Sequence, residues 1–104
     1  MTEAEQKYFE TGKSLAEAIQ SQMFGKPCFK ANGKAFICFF QDCMVFKLGG
    51  HYHKEALCLD GSKLFDPSGK DRPMKEWVQD PFQYHPMWPG LAKAALEFIL
   101  NVNS

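Results

Sequence analysis

The chain has 104 residues, 45% of them apolar, including ten Phe, two Trp and three Tyr, and its 12 basic and 12 acidic side chains cancel to zero formal charge. That length suits one domain spanning residues 1–104, folded around a single core that buries roughly 60–65% of the unfolded surface. A neutral chain lacks the broad positive field that drives phosphate binding, and no run approaches the ~20 apolar residues of a membrane helix.

The start Met1-Thr2-Glu3-Ala4-Glu5 is acidic and polar, unlike a signal peptide. A cytoplasmic, reducing location with free thiols is therefore expected. Cys28, Cys38, Cys43 and Cys58 form no C-x-x-C pair, and three of them sit in apolar runs. They read as buried or half-buried thiols packing as small hydrophobes.

Thr2-x-x-Glu5 has the form of a capping box and opens a first helix. Tyr8, Leu15 and Ile19 fall on one face, with Ala4 and Ala18 near it, and the spacing predicts a helix ending near Gln22. Gly12 weakens its middle by about 1 kcal/mol relative to Ala. Strand-like runs follow at Lys26–Ala31, Lys34–Phe40 and Cys43–Leu48, joined by Asn32-Gly33 and Gln41-Asp42. Asn-Gly is a strong hairpin signal, because a type I′ turn needs positive φ at both central residues.

Gly49-Gly50 breaks this meander. A short helix over about Tyr52–Asp60, stopped by Gly61, precedes a fourth strand at Ser62–Phe65. Asp66-Pro67-Ser68-Gly69 fits a type I turn, and Met74–Gln79 reads as the fifth strand. Pro89 suits the first turn of a last helix, along which Leu91, Ala95, Phe98 and Val102 repeat. The order α-β-β-β-α-β-β-α predicts an α+β domain, an antiparallel sheet of about five strands with the terminal helices packed on it.

Regular pairing through Asn32-Gly33 sets Cys28 opposite Ile37. One face of the meander then carries Cys28, Ile37, Phe39, Met44, Phe46 and Leu48. The other carries Phe29, Phe36, Cys38, Phe40 and Val45, with Lys34 and Lys47. Both faces are apolar, whereas a sheet with one wet face alternates. Either the helices cover one face and the last hairpin or a second subunit the other, or one face binds a partner.

His51-x-His53 with Cys58 and His85 has metal-ligand chemistry, but no second spaced pair completes a site, so no metal and no cofactor is expected. Cys43 with His51 or His85 is the available thiol–base combination, and nothing in the spacing joins them, so no catalytic residue is assigned. Asn32–Phe39 has the Gly, Ala and two Phe of an RNA-recognition motif, yet Asn32 and Lys34 stand where a basic and an aromatic residue belong. Lys75-Glu76-Trp77 and Arg72 form a mixed-charge strand around one large aromatic, which reads as a Trp packed on the sheet with its charges outside.

Met23-Phe24-Gly25, Asn32-Gly33-Lys34, Phe36 and Val45-Phe46-Lys47-Leu48 resemble the N-terminal domain of the TfoX/Sxy family and the related MmcQ/YjbR proteins. Leu64–Gly69, Pro73–Val78, Trp88 and Leu91-Ala92 are similar to stand-alone bacterial members, so the resemblance covers roughly residues 8–100. It implies a small α+β regulatory domain with no catalytic residues, and it makes Lys47 a contact candidate. The expected activity is binding without catalysis, to a protein partner or a second copy, through Phe29, Phe36 and Phe40. A DNA-associated role through Lys34, Lys47, Lys63, Lys70, Arg72 and Lys75 is the first alternative. A small-molecule pocket or enzyme site between the sheet and the last helix is the second.

Overall fold

A computed structural model describes residues 2–23, 25–67, 69–70 and 73–102. Within them, three α-helices, a 3₁₀ helix and a six-stranded antiparallel sheet form an α+β fold.

Helix α1 (Glu3–Lys13) starts as its sequence dictates, with Thr2 Oγ1 accepting from the Glu5 backbone N–H at 3.1 Å. It ends at Lys13, well before Gln22. Gly12 allows a close approach there, since a Cβ at that position would collide with the Phe29 ring. The chain then turns through Leu15–Ala18 and forms a strand that helical spacing concealed, β1 (Ile19–Met23). Ile19, expected on the buried face of a helix, is 69% exposed. Gln20 and Gln22 are good helix formers, and pairing of all five residues with Lys26–Lys30 of β2 (Lys26–Ala31) overrides them.

Asn32 (φ 52°) and Gly33 (φ 76°) make the expected turn into β3 (Lys34–Phe40). Gln41 (φ 50°) and Asp42 (φ 60°) turn again into β4 (Cys43–Lys47). The β3–β4 register is the expected one, with Ile37 opposite Phe46 and Phe40 opposite Cys43. The β2–β3 register is not. Ala31 faces Lys34 and Lys30 faces Ala35, but Phe29 faces Ile37 and Cys28 faces Cys38. Phe36 is therefore the extra residue of a β-bulge, which shifts everything beyond it by one.

Helix α2 (Gly50–Cys58) follows β4 and leads to β5 (Lys63–Phe65). The turn after β5 closes on Asp66, whose carbonyl and Oδ1 accept from the Gly69 N–H at 3.3 and 3.2 Å. β6 (Met74–Asp80) then inserts between β4 and β5, giving the order β1-β2-β3-β4-β6-β5. A 3₁₀ helix (Phe82–Met87) leads into α3 (Trp88–Val102).

All three α-helices pack on one face of the sheet. Tyr8, Ala56, Trp88 and Ile99 meet Phe29, Phe36, Ile37, Met44, Phe46 and Val78 in the main core. The opposite face holds a second cluster of Cys28, Cys38, Val45, Phe65 and Trp77, rimmed by Met23, Phe40 and Met74. No helix contributes to it, yet Cys38, Val45 and Phe65 are 0% exposed. The bulge in β3 and the irregularity in β6 opposite Leu64 and Phe65 add local twist, and the large rim side chains close over what lies between them.

Candidate interaction surface

The bulge divides the aromatic triad expected on one binding face. Phe29 and Phe36 are 1% and 0% exposed in the main core beneath the helices, so neither offers a surface. Phe40 alone lies on the helix-free face, half-buried, with its ring 5.3 Å from Phe65 and the Lys26 ammonium 4.9 Å above it. Trp77 is 6% exposed on that face, beside Phe65 and cross-strand from Lys47. Lys34 and Lys47 meet at the far end of the sheet, where they line a cavity of about 50 Å³ with Glu76, Phe98 and Ile99. Lys75 is exposed, and its carbonyl accepts from His53 Nε2 at 2.7 Å. Arg72 lies outside the described residues.

Helix α2 carries His51 and His53 two residues apart, a spacing that sends side chains to different sides of a helix. His85 instead stacks on Phe82, 4.7 Å between ring centres. Among the described residues no three His, Cys, Asp or Glu side chains gather as a metal site, and no helix is long and apolar enough to cross a membrane.

The four thiols differ sharply. Cys28 and Cys38 are buried and directly opposed across β2 and β3, Cys43 is half-buried, and Cys58 is exposed, against expectation. Burial pushes the Cys38 thiol up to about 12 and raises that of Cys28. Since the thiolate is the reactive form, alkylation of the native protein should modify Cys58 first and Cys43 more slowly. Cys28 and Cys38 should react only on unfolding, as read by mass spectrometry of the peptides.

One buried polar group stands out. Asp80, in β6, is 0% exposed. Its Oδ1 accepts from the Ser62 hydroxyl, while Oδ2 has no partner among the described residues. Burial raises its carboxyl to about 6, tempered by the Ser62 hydrogen bond. Nearby, the Tyr84 hydroxyl and Gln83 Nε2 donate to the Asp60 carbonyl at 2.6 and 3.0 Å, tying the 3₁₀ helix to the loop before β5.

Two of the concavities with ligand dimensions flank the edges of the sheet. One, of about 600 Å³, lies beside β5 and is lined by Phe40, Gln41, Lys63, Leu64, Asp66, Pro67, Gly69, Pro73 and Gln79. Among the described residues, that lining contains no Ser, Cys or His. The other, of about 390 Å³, is the groove between α1 and β1, lined by Gln6, Phe9, Glu10, Lys13 and Gln20.

This groove runs beside an open sheet edge. β1 pairs with β2 alone, and Ile-Gln-Ser-Gln-Met carries no charge and no Pro. Two residues separate the opposed pair Met23 and Lys26, the spacing of a tight hairpin whose closing pair is hydrogen-bonded. Alternation then turns the backbone groups of Ile19, Ser21 and Met23 toward β2 and those of Gln20 and Gln22 outward. Gly25 (φ 73°) between Met23 and Lys26 was the sequence signal for this hairpin.

Compared with known proteins, the chain is matched by no family model, no curated protein and no solved structure.

Proposed function

We propose that this domain is a non-catalytic binding module that works through protein contacts made at its β1 edge, in the manner of the regulatory domain its TfoX/Sxy-like motifs suggest. One observation carries the reading: an uncharged edge strand with outward-facing backbone donors and acceptors lies beside a partly apolar groove under α1. Such edges recruit an extended segment as a further strand, with main-chain hydrogen bonds giving affinity and flanking pockets giving specificity. The other edge, β5, is three residues long, includes Lys63 and is followed by Pro67, features that block strand addition.

The alternatives have less support. Lys34 and Lys47 share their cavity with Glu76, and Lys63 shares its cleft with Asp66, so these lysines do not form an unbroken basic field. The space where α3 meets the end of the sheet is about 50 Å³, far below the roughly 300–1,000 Å³ of small-molecule sites.

Titration with a synthetic uncharged peptide of sequence Ile-Gln-Ser-Gln-Met, followed by amide NMR, tests the reading. The signals of Gln20, Gln22, Phe9 and Lys13 should shift. Gln20→Pro should abolish the shifts while the fold survives, because it removes a donor that points away from β2. Shifts confined to other surfaces, or none in a chain that light scattering shows to be monomeric, would overturn the proposal.

A further inference from the structure

We infer that the strand received at this edge is β1 of a second copy of the chain, paired antiparallel about a two-fold axis through Ser21. This deepens the reading of β1 as the contact edge and rests on it.

The first argument is self-complementarity. A closed two-fold interface needs a patch that matches itself. Ile19-Gln20-Ser21-Gln22-Met23 is close to a chemical palindrome. Rotation about Ser21 sets Ile19 against Met23 of the second copy, Gln20 against its Gln22, and Ser21 against its Ser21. Aliphatic then meets aliphatic, amide meets amide, and no charge is opposed anywhere along the strand.

The backbone argument is independent. With Ser21 on the axis, Gln20 and Gln22 become hydrogen-bonded pairs with their counterparts, and these are the residues whose N–H and C=O groups already point outward. The same pairing covers Ile19, which at 69% exposure is the most exposed large hydrophobic side chain among the described residues. It does so on the helix-free face, where Met23 already packs against the second cluster. Charge poses no obstacle: the chain is neutral overall, and the groove beside β1 carries one acid, Glu10, and one base, Lys13. The product is one continuous sheet of six plus six strands.

Solution mass and register together test this. Light scattering should give twice the 11.8 kDa chain mass. Ile19→Lys, a change at an exposed side chain, should halve the measured mass and leave the circular dichroism spectrum intact. Register is read by mixing two variants in a Cys43→Ser, Cys58→Ser background, one with Ile19→Cys and one with Met23→Cys. Oxidised glutathione, itself reduced to two thiols, should then form an interchain disulfide in the mixture. Opposed non-hydrogen-bonded residues have Cα atoms ≈ 4.5 Å apart, within disulfide reach. Ile19→Cys alone should not cross-link, because its two copies lie four residues out of register. A chain that stays monomeric at its highest soluble concentration, or cross-links that ignore this register, overturns the inference. If that monomer still binds the peptide at Gln20 and Gln22, the second copy is excluded and the edge reading stands. If peptide binding is also absent, both fall.

Discussion

Phe36→Ala should lower the stability of the domain by about 3–5 kcal/mol, the cost of emptying a fully buried Phe site. Phe36 is 0% exposed and belongs to the main core. At roughly 4–8 °C per kcal/mol for a domain near this size, the melting temperature falls by tens of degrees. Phe40→Ala should cost about 1–2 kcal/mol: part of a burial worth about 1.5–3 kcal/mol, plus the Lys26 contact, worth about 0.5–1 kcal/mol. The two residues are four apart on one strand, so regular alternation would place them on the same face and predict similar losses. Urea denaturation of both variants decides the matter. Equal losses would mean that the bulge at Phe36 is absent and both rings share one environment.

Asp80 should make the domain less stable as pH rises through the weakly acidic range. An unfolded Asp titrates near 3.9, and the folded carboxyl is raised to about 6. Between those values the folded chain holds a proton that the unfolded chain has lost. Stability from this group is therefore fully present below the unfolded value, falls as pH rises, and levels off above the folded value. A shift of about two units corresponds to at most about 3 kcal/mol. The cause is the burial of a carboxylate with Oδ2 unpartnered and only the Ser62 hydroxyl on Oδ1. Asp80→Asn keeps an acceptor for Ser62 and cannot ionise. It should flatten the pH dependence between about pH 4 and about pH 6.5 and raise stability at neutrality. Urea midpoints measured across that range test this; a variant that retains the wild-type slope would place the titration on another group.

Local chemistry made much of this fold legible. The Thr2 cap, the Asn32-Gly33 turn, the Asp66 turn and the Leu91–Phe98 periodicity each act within a few residues, and each is where the sequence put it. What escaped depends on distant partners. β1 is built from helix-tolerant glutamines and becomes a strand because β2 has an edge to fill. The bulge at Phe36 has no local signature: Lys34–Phe40 is apolar from Ala35 on, and no polar residue marks which side chain is the extra one. That single residue moved Phe36 and exchanged the faces of Cys28 and Phe29, which is why the expected aromatic surface dissolved. The open edge of the sheet was missed for the same reason as β1 itself. Beyond the bulge, the opposed faces of β3 and β4 from Ile37 to Phe46 were read correctly, because the tight turn at Gln41-Asp42 sets their register directly.

The strand order also implies a sequence of assembly. β1 to β4 pair with their neighbours in the chain, so each turn closes a short loop as it forms. β5 and β6 are likewise consecutive, joined through the Asp66 turn, whereas the β4–β6 pairing closes a loop that holds α2 and β5. Contacts of low sequence separation form ahead of those that close long loops. Pulse-labelled hydrogen exchange during refolding should therefore protect the amides bonded within β1–β4 and within the β5–β6 hairpin before those bonded between β4 and β6. The seam between β4 and β6, inside the sheet and not at either edge, would be the final part to lock.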